Sequence, residues 1–354
     1  MRAGISWDAA GFHVTVVDDY GRTVIPTHGY RTDEIETMVD FLHGNGSRVI
    51  IDDTNGLLYD RLTEAGLTVY RADHRAPSRL PLLGSAPAEA LARTTLRDRP
   101  PLSRSATGSG THSGRDEELA GGYETAMAAV ADQPAPGRFF AHGPRGEKKV
   151  ALTFDDGPFP PHTDRILDIL EHYAVPATFF CVGLNSVAHP EILGRIQERG
   201  HAFGNHTWSH PYLPDLSEAQ ILEQLRSTGE ALSTFTNGDA PTLFRPPYGA
   251  LPPGPYDWLT TMEATTVLWD VDPKDWSRPG AEVIARSVLD QVRPGSIVLM
   301  HDGGGDRSQT VDALPMIIET LLDRGYRLVR VDHLLEGPSP EQAEARGTSP
   351  STPD

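Results

Sequence analysis

Basic residues are scarce in this chain of 354 residues: 31 lysines and arginines stand against 49 aspartates and glutamates, for a formal charge of -18. A polyanionic partner such as nucleic acid is therefore disfavoured on electrostatic grounds, and a neutral glycan suits the surface better. Cysteine is scarcer still. The single thiol, Cys181, cannot close an internal disulfide, so the fold does not depend on an oxidising compartment. It lies in the apolar run Ala177–Val182, where packing is expected of it rather than nucleophilic chemistry. No run approaches the ~20 apolar residues of a membrane span. Met1 to Asp8 lack the sustained apolar core of a secretory signal, so a cytoplasmic product is expected, with export by another route or a different start as the alternatives. At 38% hydrophobic and 23% charged, the composition is polar for one compact body and fits a globular part joined to solvated segments.

What is present divides into four stretches. Residues 1–75 read as a small α/β unit, with strands at Ala3–Ser6, Phe12–Val17, Arg22–Ile25, Val49–Ile51 and Leu67–Tyr70. A helix capped by Thr32 would put Ile35, Met38, Val39 and Leu42 on one face, and a second would run from Gly56 to Glu64. That order resembles the first half of a ribonuclease H-like fold. Ser6 stands where such a nuclease needs its first-strand acid and Asp8 is displaced by two, so a non-catalytic relic or a module for an unknown protein partner is expected. Residues 76–147 are rich in proline, glycine and serine and read as a flexible linker with short helices. Residues 148–338 alternate strand and helix signals, which predicts a parallel sheet closed, or nearly closed, by an outer ring of helices: a distorted (β/α) barrel. Residues 339–354 read as a disordered tail.

Chemistry concentrates in the third stretch. Asp155 and Asp156 follow the apolar run Val150–Phe154 and precede Gly157-Pro158, so two carboxylates sit at a strand end. His206 and His210 are four apart and would share a face on a helical turn; with one aspartate they form a two-histidine, one-carboxylate metal set with open positions. Arg245, fixed by Pro246-Pro247, can orient a carboxylate through bidentate hydrogen bonds. His301 ends the run Ile297–Met300, at the same rim as Asp155, and an acid beside it would raise its pKa and keep it a proton donor.

Five segments in order, Thr153–Gly157, His206–His210, Arg245–Tyr248, Asp272–Trp276 and Leu299–His301, closely resemble the motifs of the polysaccharide deacetylases of carbohydrate esterase family 4, which share a NodB-type homology domain. The resemblance covers about residues 148–335. It implies Asp155 as general base, and Asp156, His206 and His210 as ligands of a divalent metal, zinc foremost. It further implies Arg245 orienting Asp155, the Tyr248 N–H stabilising an oxyanion, His301 as general acid tuned by Asp275, and Trp276 with Leu299 walling the acetyl pocket. The expected activity is removal of N-acetyl groups from a peptidoglycan-like or chitin-like glycan, with release of acetate. Two alternatives remain at this point: an O-acetyl esterase on acetylated xylan, and a non-catalytic carbohydrate-binding protein on the same fold.

Overall fold

Two sheets organise the computed structural model, in which residues 1–8, 10–52, 55–72, 83–94, 123–128, 131, 139–254 and 256–336 are described. The first sheet holds β1 (Arg2–Asp8), β2 (Gly11–Val17), β3 (Thr23–Arg31), β4 (Arg48–Ile51) and β5 (Val69–Arg71), in the spatial order β3-β2-β1-β4-β5. The pairs β1–β2 and β2–β3 are antiparallel, whereas β1–β4 and β4–β5 are parallel. The β2–β3 hairpin is tied by Asp18, whose carboxylate accepts from the N–H groups of Tyr20 and Arg22. Helix Ile35–Gly44 buries Ile35, Met38, Val39 and Leu42, the apolar face that its periodicity predicts. Thr32 does not cap it: Thr32–Glu34 form a short 3-10 turn, and the Glu34 carboxylate accepts from the Arg31 N–H.

The second sheet is the expected distorted (β/α) barrel. It contains β6 (Phe139–Phe140), β7 (Lys149–Asp155), β8 (Thr178–Cys181), β9 (Ala202–Asn205), β10 (Leu243–Phe244), β11 (Thr265–Val267), β12 (Ser296–His301) and β13 (Arg327–Leu328). The order is β12-β7-β8-β9-β10-β11-β6, with β13 also on β7, and every pairing between these strands is parallel. Isolated bridges His142–Ser296 and Val271–Val298 bring the far edge back to β12, so the sheet curls almost into closure. Because β6 belongs to this sheet, the barrel reaches upstream of residue 148.

Strand alternation sorts the side chains. On β7, Val150, Leu152 and Phe154 face the helix layer with helices His162–His172, Pro190–Glu198 and Ser308–Asp323; Ala151 packs inside with Phe180, Val267 and Ile297. Thr153 and Asp155 share the parity of Ala151 and so point into the barrel. On β12 the same rule puts Val298 and Met300 outside and Ile297, Leu299 and His301 inside.

The two sheets share a hydrophobic core. Trp7, Phe12, Ile35, Leu58 and Leu62 of the N-terminal unit pack with Val182, Leu184 and Trp208 of the barrel. Helix Ala88–Ala92, within the stretch expected to be a linker, packs on β1 so closely that a methyl group on Gly4 would overlap its backbone. Most of that stretch, and the whole tail expected over 339–354, lie outside the described residues.

Candidate active site

Asp155, His206, Arg245 and His301 all leave from the C-terminal end of a parallel strand. Asp155 is the last residue of β7 and lies in register with His301, the last of β12; His206 follows β9 directly and Arg245 follows β10. Asp155, Asp156, His206, His210, Arg245, Asp275 and Leu299 are all buried.

Backbone handedness brings the donors together. Asp156 (φ 75°), Thr207 (φ 68°), His210 (φ 56°) and Tyr248 (φ 58°) adopt left-handed conformations that side-chain-bearing residues avoid and that cluster at functional sites. The histidine pair is therefore not on a helical turn: 206–210 is an irregular loop, and its two left-handed residues fold the rings to within 4.9 Å of each other. Buried polar groups hold the loop. Gln224 accepts from the N–H groups of Trp208 and Ser209, Asn205 accepts from that of Thr207, and the His206 Nδ1–H donates to the Arg245 carbonyl at 2.7 Å.

That last bond leaves His206 Nε2 as a lone pair facing carboxylates. Asp156 Oδ1 lies 3.5 Å from it and 3.2 Å from His210 Nε2, and among the described residues this buried oxygen has no hydrogen-bond partner. A cation bound tetrahedrally at about 2.05 Å holds neighbouring donor atoms about 3.3 Å apart, so these separations and this two-nitrogen, one-oxygen set fit a divalent ion. Burial pushes the Asp156 carboxyl pKa up, but the imidazoles of His210, His206 and His301 outweigh it and hold the group ionised, well below the ordinary carboxylate range.

Asp155 divides its two oxygens between Arg245 and His206. Its Oδ1 accepts from Arg245 Nη1 at 2.6 Å, while Oδ2 stands 3.7 Å from His206 Nε2. The expected bidentate clamp does not form, because Arg245 spends its other donors on Thr153 Oγ1 and on the carbonyls of Val267 and Leu268. The guanidinium is fully buried, 4.1 Å from the centre of the Phe180 ring, and burial lowers its pKa against the pull of Asp155.

His301 Nδ1–H donates to Asp275 Oδ1 at 2.7 Å. Asp275 also accepts from the His301 and Trp276 N–H groups and from the Thr310 hydroxyl, so both its oxygens are spoken for. Burial alone would lower the His301 pKa; the charge and hydrogen bond of Asp275, with help from Asp156, raise it to about 9. Trp276 stands at the rim, 43% exposed, and Leu299 lies inside, 4% exposed. Sequence reasoning missed the supports: Gln224, Asn185 donating to the Asp156 carbonyl, Asp302 accepting from the Gly157 N–H and from Thr163, and Thr310. Gln224 carried a signal, since it and Thr228 share the buried face of helix Glu218–Ser233 with Ile221 and Leu225, where apolar residues belong.

Paired acid and base groups around a cation-fitting triad define a metal-assisted hydrolase. The polysaccharide deacetylase family model matches residues 142–264. A peptidoglycan-N-acetylglucosamine deacetylase of Bacillus cereus is 39% identical over 194 residues, which are 54% of this chain and 90% of that protein. A chitooligosaccharide deacetylase of Bradyrhizobium sp. is 38% identical over 201 residues, 52% of this chain and 89% of that one. Among solved structures, a peptidoglycan N-acetylglucosamine deacetylase in complex with an N-hydroxybenzamide compound superposes with a TM-score of 0.56 at 38% identity, over 58% of this chain and 95% of that one. The chain belongs to the polysaccharide deacetylase family and is an amide-hydrolysing, metal-dependent enzyme of that family.

Proposed function

We propose that this enzyme removes N-acetyl groups from N-acetylhexosamine units of a peptidoglycan-like or chitin-like glycan, with zinc held by Asp156, His206 and His210. One observation carries the reading: Asp156 Oδ1 faces both imidazole Nε2 atoms with no hydrogen-bond partner among the described residues, while Asp155 and His301 flank the same spot. The bound cation would supply a Lewis acid that polarises the amide carbonyl and acidifies water. Asp155 takes the proton from the attacking water, its carboxylate aimed by Arg245. The oxyanion that develops on the former carbonyl receives the Tyr248 N–H, presented by that residue's left-handed backbone. His301 delivers its proton to the departing nitrogen, so the C–N bond breaks to a neutral amine rather than an amide anion, and acetate is the other product. Leu299 and Trp276 flank the acetyl methyl.

The names of the relatives support the substrate class, and the N-hydroxybenzamide bound to one of them bears a group that chelates divalent cations. The N-terminal unit, residues 1–75, is proposed as a non-catalytic domain, followed by a connecting stretch from 76, a catalytic unit that takes in β6 (Phe139–Phe140) and runs to 338, and the tail 339–354. No helix among the described residues is long and apolar enough to cross a membrane; action in the cytoplasm is part of the proposal, checked by fractionation of the source cells.

Acetate release is measured with peptidoglycan, chitooligosaccharides and acetylated xylan as substrates, for wild type, Asp155→Asn and His301→Ala. The expected loss is about 10²- to 10⁴-fold in each variant. Release from xylan alone identifies the O-acetyl esterase instead. Release from none of the three, with zinc supplied, overturns the enzymatic reading.

A further inference from the structure

Among the described residues two arginine side chains are fully buried, Arg245 and Arg307. Arg245 meets the Asp155 carboxylate, and the reaction uses it. Arg307 forms no ion pair among the described residues; its guanidinium meets main-chain carbonyls instead. Nε donates to Gly303 at 2.8 Å, Nη2 to Gly304 at 2.5 Å and Nη1 to Asp306 at 3.2 Å. Burying a cation away from an anion is costly, and Arg307 also immediately precedes helix Ser308–Asp323, whose N-terminus repels positive charge. Three charge-assisted bonds to one short loop must offset both effects.

The loop is the glycine run that bounds the cation site. A methyl group on Gly303 would lie 2.4 Å from the Asp156 carbonyl oxygen, and one on Gly304 would lie 2.5 Å from Asp156 Oδ2. Main-chain bonds stitch the run to the acid pair: the Asp302 and Gly303 N–H groups donate to the Asp155 carbonyl at 3.0 and 3.3 Å, and the Gly157 N–H donates to Asp302 Oδ1 at 3.1 Å. Glycines have no side chains with which to fix their own course, and Gly304 and Gly305 take φ of 68° and 127°. Arg307 supplies that fixing from outside the run. Its own N–H donates to His162 Nε2 at 3.3 Å, which anchors it to helix His162–His172.

We infer that Arg307 is a positioning residue of the deacetylase site: its guanidinium gathers the carbonyls of Gly303 and Gly304, presses that run against Asp156, and so keeps the carboxylate turned toward His206 and His210. A rigid, planar fork suits several carbonyls in fixed directions, whereas a lysine ammonium is a point donor on a flexible stem.

This inference rests on the cation reading of the triad, and the test tells the two apart. Zinc affinity is measured by calorimetry on the full chain, and amide hydrogen exchange by mass spectrometry with and without zinc, for wild type, Arg307→Met and Leu321→Ala. Leu321 is buried near the far end of the same helix, so its truncation lowers stability without touching the loop. Arg307→Met is expected to weaken zinc binding about 10- to 100-fold and to speed exchange in the peptides holding Gly157, Asp302 and Gly303 about tenfold more than in β8. Leu321→Ala is expected to leave zinc affinity within about twofold and to move both sets of amides alike. Arg307→Lys, which keeps the charge and loses the fork, is expected to shift both readouts the same way by a smaller factor, and it carries the test if Arg307→Met does not fold. Wild-type affinity with wild-type exchange overturns the inference, as do equal losses in the arginine and leucine variants, or either change without the other. A wild-type protein that binds no zinc overturns the cation reading instead, and the metal-free exchange then decides by itself whether Arg307 clamps the loop.

Discussion

Replacing Asp275 with asparagine removes the charge that keeps His301 protonated and leaves the burial that opposes it. In the intact site the two effects sum to a His301 pKa of about 9. A cation on Asp156 cancels that carboxylate's share, so the alkaline limb of kcat/KM is expected at or somewhat below pH 9. The sign is fixed by the role: a general acid works while it holds its proton, so activity is kept below the pKa and lost as pH rises through it. Without Asp275 the imidazole falls at least to its ordinary value of about 6.5, a change worth about 3 kcal/mol. At that value the protonated fraction at pH 8 drops about 30-fold and at pH 6 less than twofold, and any further fall from burial enlarges both losses while keeping the larger one at pH 8. Asparagine also turns a donor toward the His301 N–H, the Thr310 hydroxyl or the ring N–H, all of which Asp275 now accepts. That mismatch costs activity equally at every pH. The assay is the pH profile of acetate release from a chitooligosaccharide between pH 5.5 and 10, for wild type and variant. A uniform loss with the alkaline limb unmoved would refute the electrostatic role and leave Asp275 as a positioning group only.

Zinc titration by calorimetry should separate the two adjacent acids: Asp155→Asn is expected to keep cation binding while losing turnover, and Asp156→Asn to lose binding with turnover. Gly304 has φ +68°, and a methyl group there would lie 2.5 Å from Asp156 Oδ2. Gly304→Ala is therefore expected to weaken zinc binding about 10- to 100-fold, read in the same titration. His201 is a probe of acid stability. Its Nδ1 accepts from the Ala177 N–H, its buried Nε2 has no hydrogen-bond partner among the described residues, and burial, followed by Arg199 and Arg330, depresses its pKa to about 4. The unfolded chain protonates this ring first as pH falls, so stability is complete above pH 6.5 and declines by up to about 3 kcal/mol between pH 6.5 and 4. Denaturant midpoints across that range should fall more steeply for wild type than for His201→Asn.

The site was legible where one strand residue predicts the next. Val150–Phe154 and Ile297–Met300 read as buried strands, and period-two alternation places Asp155 and His301 on the inner face without knowledge of the partners. Pairing of β7 with β12 then puts the two opposite each other. Spacing failed at His206 and His210, because four residues suggest a helical turn and the chain instead reverses twice through left-handed backbone. No side-chain pattern announces that reversal; the buried amides of Asn205 and Gln224, which stabilise it, come from different elements. The shared core of the two sheets was illegible for a similar reason. Val182, Leu184 and Trp208 look like ordinary barrel residues, and nothing in their local sequence says that the surface they fill belongs to residues 7–62.

Asp155 and Asp156 show how much the backbone decides. They have the same side chain, are adjacent, are both buried and both approach His206, yet Asp155 is bonded to Arg245 and Asp156 faces His210. Asp155 ends an extended strand, so its carboxylate follows the inner face and reaches a guanidinium. One residue later φ turns to +75°, and the next carboxylate swings across to two imidazoles, with its backbone pinned by Asn185 and its side chain bounded by Gly304. A left-handed aspartate costs of order 1 kcal/mol or more. The tight packing of Gly303 and Gly304 against it keeps the turn from relaxing into an extended form that would aim both acids along the same strand. The strain and the glycine run are thus parts of one device, which separates a proton acceptor from a cation ligand within two consecutive residues.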